Sequence, residues 1–149
     1  MSSDEGNGWL MREAEHALDA CRRNLAAGDC VVAVQQAQAC VEYCTRAVIA
    51  TYGQPSWGDS HTRDLRDMLD HQGAGIRHRF GPDTLRDLRQ LAGDDGEMSP
   101  WHTRAMYGYR DDAGTFHPPL EICTREASER GLLLAQRSFA TVGRFLQAW

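Results

Sequence analysis

The sequence predicts an all-α protein, an antiparallel helical bundle with long first, second and last helices and short helices between. Three observations predict it. Apolar residues recur at helical spacing through the first fifty residues and again near the end. A stop-and-restart signal, Gly28-Asp29, joins the first two helical runs. No segment shows the apolar–polar alternation of a half-buried strand. A length of 149 residues, with 42% hydrophobic and 25% charged side chains, suits one domain around one core. We place that domain at residues 9–149, behind a frayed polar start at 1–8.

From Trp9 to Ala27 the residues Leu10, Ala14, Ala17, Cys21 and Leu25 form one face, with Glu13, Glu15, Arg22 and Arg23 between them, and His16 falls on the outer side. Gly28 ends this helix and Asp29 caps the next, so the second runs back along the first. It spans Cys30 to Tyr52 and ends at Gly53 and Pro55. Its small residues Ala33, Ala37, Cys40, Cys44 and Ala47 form one stripe and Val34, Val41 and Val48 a neighbouring one, while Gln35, Gln36 and Gln38 argue against burial all round. Gln54 to Ser60 reads as a turn-rich loop. Thr62 to His71 reads as a short helix with Leu65, Met68 and Leu69 inward, broken by Gly73-Ala74-Gly75. Pro82 to Leu91 is a second short helix with proline in its first turn. The acidic stretch Gly93–Pro100 reads as a loop, and Trp101–Pro119 has no clear period. The last helix is expected from about Leu120 to the end, with Ile122, Leu133, Ala140, Phe145 and Leu146 among its apolar positions.

Charge and cysteine content narrow the class. A formal net charge of -5 argues against a domain that grips duplex nucleic acid through its overall field. All sixteen basic residues are arginine, a side chain suited to phosphate but also the product of a simple codon bias. The five cysteines are odd in number and lack a C-x-x-C pair, so neither a disulfide framework nor a zinc ribbon is expected. Cys40 and Cys44, one helical turn apart, read as core thiols rather than metal ligands. No metal or other cofactor is expected. No run approaches a membrane span and the start is acidic rather than signal-like, so a cytoplasmic protein without membrane contact is expected.

The succession Trp9-Leu10, Ala14, Ala17-Leu18, Cys21-Arg22-Arg23-Asn24-Leu25, Gly28-Asp29 and then Ala33-Val34-Gln35-Gln36-Ala37-Gln38-Ala39-Cys40-Val41-Glu42 resembles the first helical hairpin of a HEPN domain. His61-Thr62-Arg63-Asp64-Leu65 with Met68-Leu69 resembles the family's next segment, a histidine leading a leucine-bearing helix. The resemblance implies a helical bundle, often homodimeric, that handles RNA or nucleotides in toxin–antitoxin, defence or nucleotidyltransferase-associated systems. Many such domains are metal-independent ribonucleases with an arginine and, four to six residues on, a histidine. Arg110…His117, with six intervening residues, fits near the expected place, and Arg66…His71, with four, lies too early. This composition alone yields roughly two such matches by chance, so position rather than pattern favours Arg110 and His117.

Beside them Trp101, His102, Arg104, Tyr107 and Tyr109 mix flat rings with cations, which suits unstacked bases and a phosphate. The competing reading has the rings close the bundle and the arginines pair with Asp111, Asp112 and Glu97. Arg77-His78-Arg79 reads as a solvated basic run. Two functions follow. One is a ribonuclease in which His117 takes the 2'-hydroxyl proton and Arg110 stabilises the phosphate, leaving 2',3'-cyclic ends. The other is a non-catalytic module that binds RNA or a nucleotide, or partners a nucleotidyltransferase. Surplus apolar surface at Phe145, Leu146 and Trp149, together with the resemblance, favours a homodimer through the last helix.

Overall fold

The structure, a computed structural model, describes residues 3–53, 58 and 60–149. The turn-rich loop expected at Gln54–Ser60 therefore lies almost wholly outside the described residues, as do Met1 and Ser2 of the polar start. The helices are α1 (Ser3–Ala26), α2 (Cys30–Tyr52), α3 (His61–Phe80), α4 (Pro82–Met98), α5 (Trp101–Tyr107), α6 (Pro119–Ile122) and α7 (Arg125–Ala148). Two-residue strands β1 (Tyr109–Arg110) and β2 (Phe116–His117) form an antiparallel hairpin between α5 and α6. Among the described residues, no helix is long and apolar enough to cross a membrane.

The first hairpin follows its sequence signals. Gly28 takes φ +81° and ends α1, and Asp29 caps α2 by accepting the Val32 amide at 3.2 Å. Every residue of the two small-residue and valine stripes of α2 is buried, which makes α2 the central helix, packed against α1, α3, α4, α5 and α7. Gly131 of α7 faces Ala37, and a Cβ there would lie 3.0 Å from the alanine methyl. Gly131→Leu should therefore cost about 1–3 kcal/mol by overpacking; a urea midpoint equal to that of the wild type would contradict this close crossing.

The middle of the chain differs from expectation. Helix α3 does not break at Gly73-Ala74-Gly75, because Leu65, Leu69, Gly73 and Ile76 continue one buried face and Gly73 lies against Leu85 of α4. Glycine lowers helix propensity by about 1 kcal/mol, which burial of that face outweighs. Helix α4 likewise runs through the acidic stretch to Met98. Two of its acids are buried: Asp94 receives a bidentate pair from Arg137 at 2.9 and 2.7 Å, and Asp95 is bound by His61, whereas Glu97 is exposed. Within Trp101–Pro119 the structure adds α5 and the hairpin, strands too short to show alternation. The last helix begins at Arg125 rather than Leu120, with the Thr124 hydroxyl accepting the Ala127 amide at 3.1 Å. Leu120 is exposed, as are Leu133 and Ala140, both expected inward. Phe145, Leu146 and Trp149 are not surplus: Phe145 is buried, Leu146 and Trp149 pack against the main core, and Trp149 meets Tyr52 edge-on at 4.9 Å and stacks with Phe80 at 6.0 Å.

Candidate functional site

A small second core seats the α5–hairpin end on the bundle. Val34 of α2, Ala105 of α5 and Cys123 form it, with Trp101 and Ile122 packed alongside. Gln35 of α2 donates to the Ala105 carbonyl at 3.0 Å, so one of the polar interruptions of α2 anchors α5. The expected binding cluster divides here. Trp101 packs into both cores, whereas His102, Arg104 and Tyr107 are exposed on α5. Tyr109 is half-buried, with the Arg104 guanidinium 4.6 Å from its ring centre and His117 stacked on it at 5.2 Å.

The turn from α5 into β1 depends on Gly108. Its φ of +73° suits glycine, and a Cβ there would overlap the His117 carbonyl oxygen and meet the Phe116 ring. Beyond it, Tyr109 pairs with His117 and Arg110 with Phe116. Residues directly opposite in an antiparallel pair share a face, and successive residues alternate. Arg110 therefore lies with Phe116, its guanidinium 5.8 Å from that ring, while His117 lies with Tyr109 on the other face. The Arg110 guanidinium also donates to the Gly114 carbonyl at 3.0 Å. Within one chain the hairpin does not bring Arg110 and His117 together.

Both His117 ring nitrogens face carboxylates, Nε2 to Asp111 at 2.8 Å and Nδ1 to Glu121 at 2.9 Å. These hydrogen bonds, from Asp111 first and then Glu121, raise the His117 pKa, and the His117 contact lowers that of Asp111. Both carboxylates therefore favour the protonated ring. The earlier arginine–histidine match fares no better: Arg66 and His71 share one helix, five residues apart and so about 140° around its axis. His71 Nδ1 turns back to the Asp67 carbonyl at 2.8 Å.

The residues that carried the family resemblance converge on a second polar cluster, which the site residues expected from sequence did not include. His61 is buried, with Nε2 3.2 Å from Glu42 of α2 and Nδ1 2.7 Å from Asp95 of α4. Gln38 donates to Glu42 at 3.1 Å, Arg46 pairs with Glu42 at 3.2 Å, and the Thr62 hydroxyl donates to Asp95. Against the desolvation of burial, the Asp95 and Glu42 hydrogen bonds raise His61 to about 9, and those of His61 and Gln38 lower Glu42 to about 2. The signal was present, since Gln38, Glu42 and His61 all lie in the quoted phrases. Asp95 lies in the acidic stretch, whose composition suggests a loop but which the structure places inside α4. Among the described residues no three His, Cys, Asp or Glu side chains stand close enough to hold a metal ion. Cys21, Cys40, Cys44 and Cys123 are buried free thiols, and burial first, then Cys40, lifts Cys21 to about 11.

The family model of the HEPN domain matches residues 8–144, from the start of the first apolar stripe almost to the end of α7. Neither the curated proteins nor the solved structures include a match to the chain.

Proposed function

Given that the chain belongs to the HEPN domain family, a family of nucleotide- and RNA-handling helical domains, we propose that it is a binding module. It holds single-stranded RNA at the α5–hairpin end and does not cut it. The observation that carries this reading is the exposed Arg104 standing over the ring of Tyr109, with Tyr107 exposed three residues on along α5, while Arg110 stands over Phe116 on the other face of the hairpin. Neither guanidinium is neutralised by a carboxylate among the described residues. Flat rings stack with unstacked bases, and guanidiniums without a carboxylate partner donate to phosphate oxygens or stack in turn.

The clamping of His117 supports binding over cleavage. A general base needs a free nitrogen lone pair near the proton it takes, and both ring nitrogens of His117 already face carboxylates of the same chain. Cleavage would further require Arg110 and His117 from two copies of the chain. We also propose a homodimer; light scattering should give twice the 16.7 kDa chain mass, and a monomer mass at micromolar concentration would remove that proposal. A nucleotidyltransferase is the kind of catalytic partner to which such a module would present RNA.

A labelled single-stranded oligoribonucleotide in chelator tests the reading. Binding is expected to weaken as salt rises, the strand should stay intact, and Arg104→Ala and Tyr107→Ala should each lower affinity by about tenfold. Affinity unchanged in both variants would remove this surface as the contact. Cleavage present in the wild type and lost in His117→Ala would establish the ribonuclease instead.

A further inference from the structure

The start of α3 and the end of α4 enclose an open groove of about 710 Å³, lined among others by Ser60, Thr62, Arg63, Arg66, Gly96 and Ser99. We propose that this groove binds a phosphomonoester, as carried by a 5'-nucleotide or by the phosphorylated end of an RNA strand. Its charged lining consists of two arginines three residues apart on α3, both exposed. Among the described residues neither has a carboxylate partner or a hydrogen bond. The Arg66 fork lies across α4 at Gly96, where a Cβ would come within 3.1 Å of its Nη2. Glycine at that position leaves the space that the guanidinium occupies. The Ser99 hydroxyl adds a neutral donor.

Two of the nearby acids are already occupied. Asp95, behind Thr62, is buried and compensated by His61, and Asp64 accepts the Ser60 hydroxyl at 3.4 Å on a neighbouring face of α3. Two guanidiniums match the double charge of a phosphomonoester better than the single charge of a diester. The groove is open to solvent, a surface site rather than an enclosed cavity. It lies at the N-terminal side of α5, about 10 Å along that helix from the hairpin. The proposal goes beyond the RNA-binding reading, which does not need this groove.

Calorimetric titration of the protein with AMP, adenosine and inorganic phosphate tests it. AMP should bind, inorganic phosphate should displace it, and adenosine should not bind. The Arg63→Ala/Arg66→Ala double variant should lose at least tenfold in AMP affinity with an unchanged thermal melt. Displacement of AMP by a 5'-phosphorylated oligoribonucleotide, with none by its 5'-hydroxyl twin, would identify an RNA end as the ligand; displacement by neither would identify a free nucleotide. No AMP binding at millimolar concentration, adenosine binding equal to AMP, or full affinity in the double variant would each overturn the proposal. AMP reads the groove alone and 5'-hydroxyl RNA reads the hairpin surface alone, so either reading can fail without the other.

Discussion

Replacing His61 by alanine is expected to lower stability by about 3–5 kcal/mol, the usual cost of leaving a buried charge without its partner. His61 joins α2 to α4 through one ring, and Asp95, only 1% exposed, would keep the Thr62 hydroxyl but lose its cation. Glu42 would keep Arg46 at 3.2 Å, so most of the loss should fall on Asp95. Asp95→Asn should therefore cost less than His61→Ala, and the double variant less than the sum of the two. Urea unfolding measures all three; additive losses would mean that the two side chains do not act as a pair.

The same cluster sets a pH window. Glu42, lowered from 4.5 to about 2, contributes stability that is complete above its unfolded value and lost as pH falls toward 2. His61, raised from 6.5 to about 9, contributes stability that is complete below 6.5 and lost as pH rises through 9. Both contributions are whole between 4.5 and 6.5. The difference in melting temperature between wild type and His61→Ala should be largest there and shrink on either side. A difference that kept growing above pH 9 would contradict a protonated His61.

The legible and illegible parts of this fold divide by the range of the interactions. Helices α1 and α2 were readable because their apolar stripes and the Gly28–Asp29 junction are local patterns, and all of these positions behave as their spacing demands. Helices α3 and α4 were cut short because glycine counted as a breaker and acid as solvent-facing. What keeps Asp94 and Asp95 inside a helix is Arg137, 43 residues away, and His61, 34 residues away. No window of sequence holds both partners. Strands of two residues carry no period, so the hairpin was invisible. The same limit governs the site. Arg110 and His117 could be named from spacing, but whether they share a face follows from the register Tyr109↔His117, and a shift of one residue in pairing would reverse it. Glu42 and His61 were quoted for the family resemblance without a role, because only the packing of α2 against α3 shows that they touch.

Gly108→Ala is expected to detach the hairpin while leaving the bundle folded, and so to separate function from stability. A non-glycine residue at φ +73° carries strain of about 1–3 kcal/mol, and the added methyl would overlap the backbone oxygen of His117, an atom that cannot swing aside as a side-chain end can. Relief requires β2 to move away from the end of α5. That movement pulls Phe116 and His117 from the positions in which Arg110 and Tyr109 meet them. The main core is formed by α1–α4 and α7 and has no member in the hairpin, so helix content should be kept. Proteolysis within residues 111–115 should accelerate, because the contacts that hold that turn, from Arg110 to the Gly114 carbonyl and from His117 to Asp111, depend on the two strands staying paired. Affinity for 5'-hydroxyl RNA should fall by about tenfold or more, since stacking on aromatic rings contributes roughly 1–3 kcal/mol per base. AMP binding at the α3–α4 groove should not change. RNA affinity retained together with rapid cleavage of the 111–115 turn would show that the ordered hairpin is not the contact surface, and would move the RNA site to the exposed face of α5 alone.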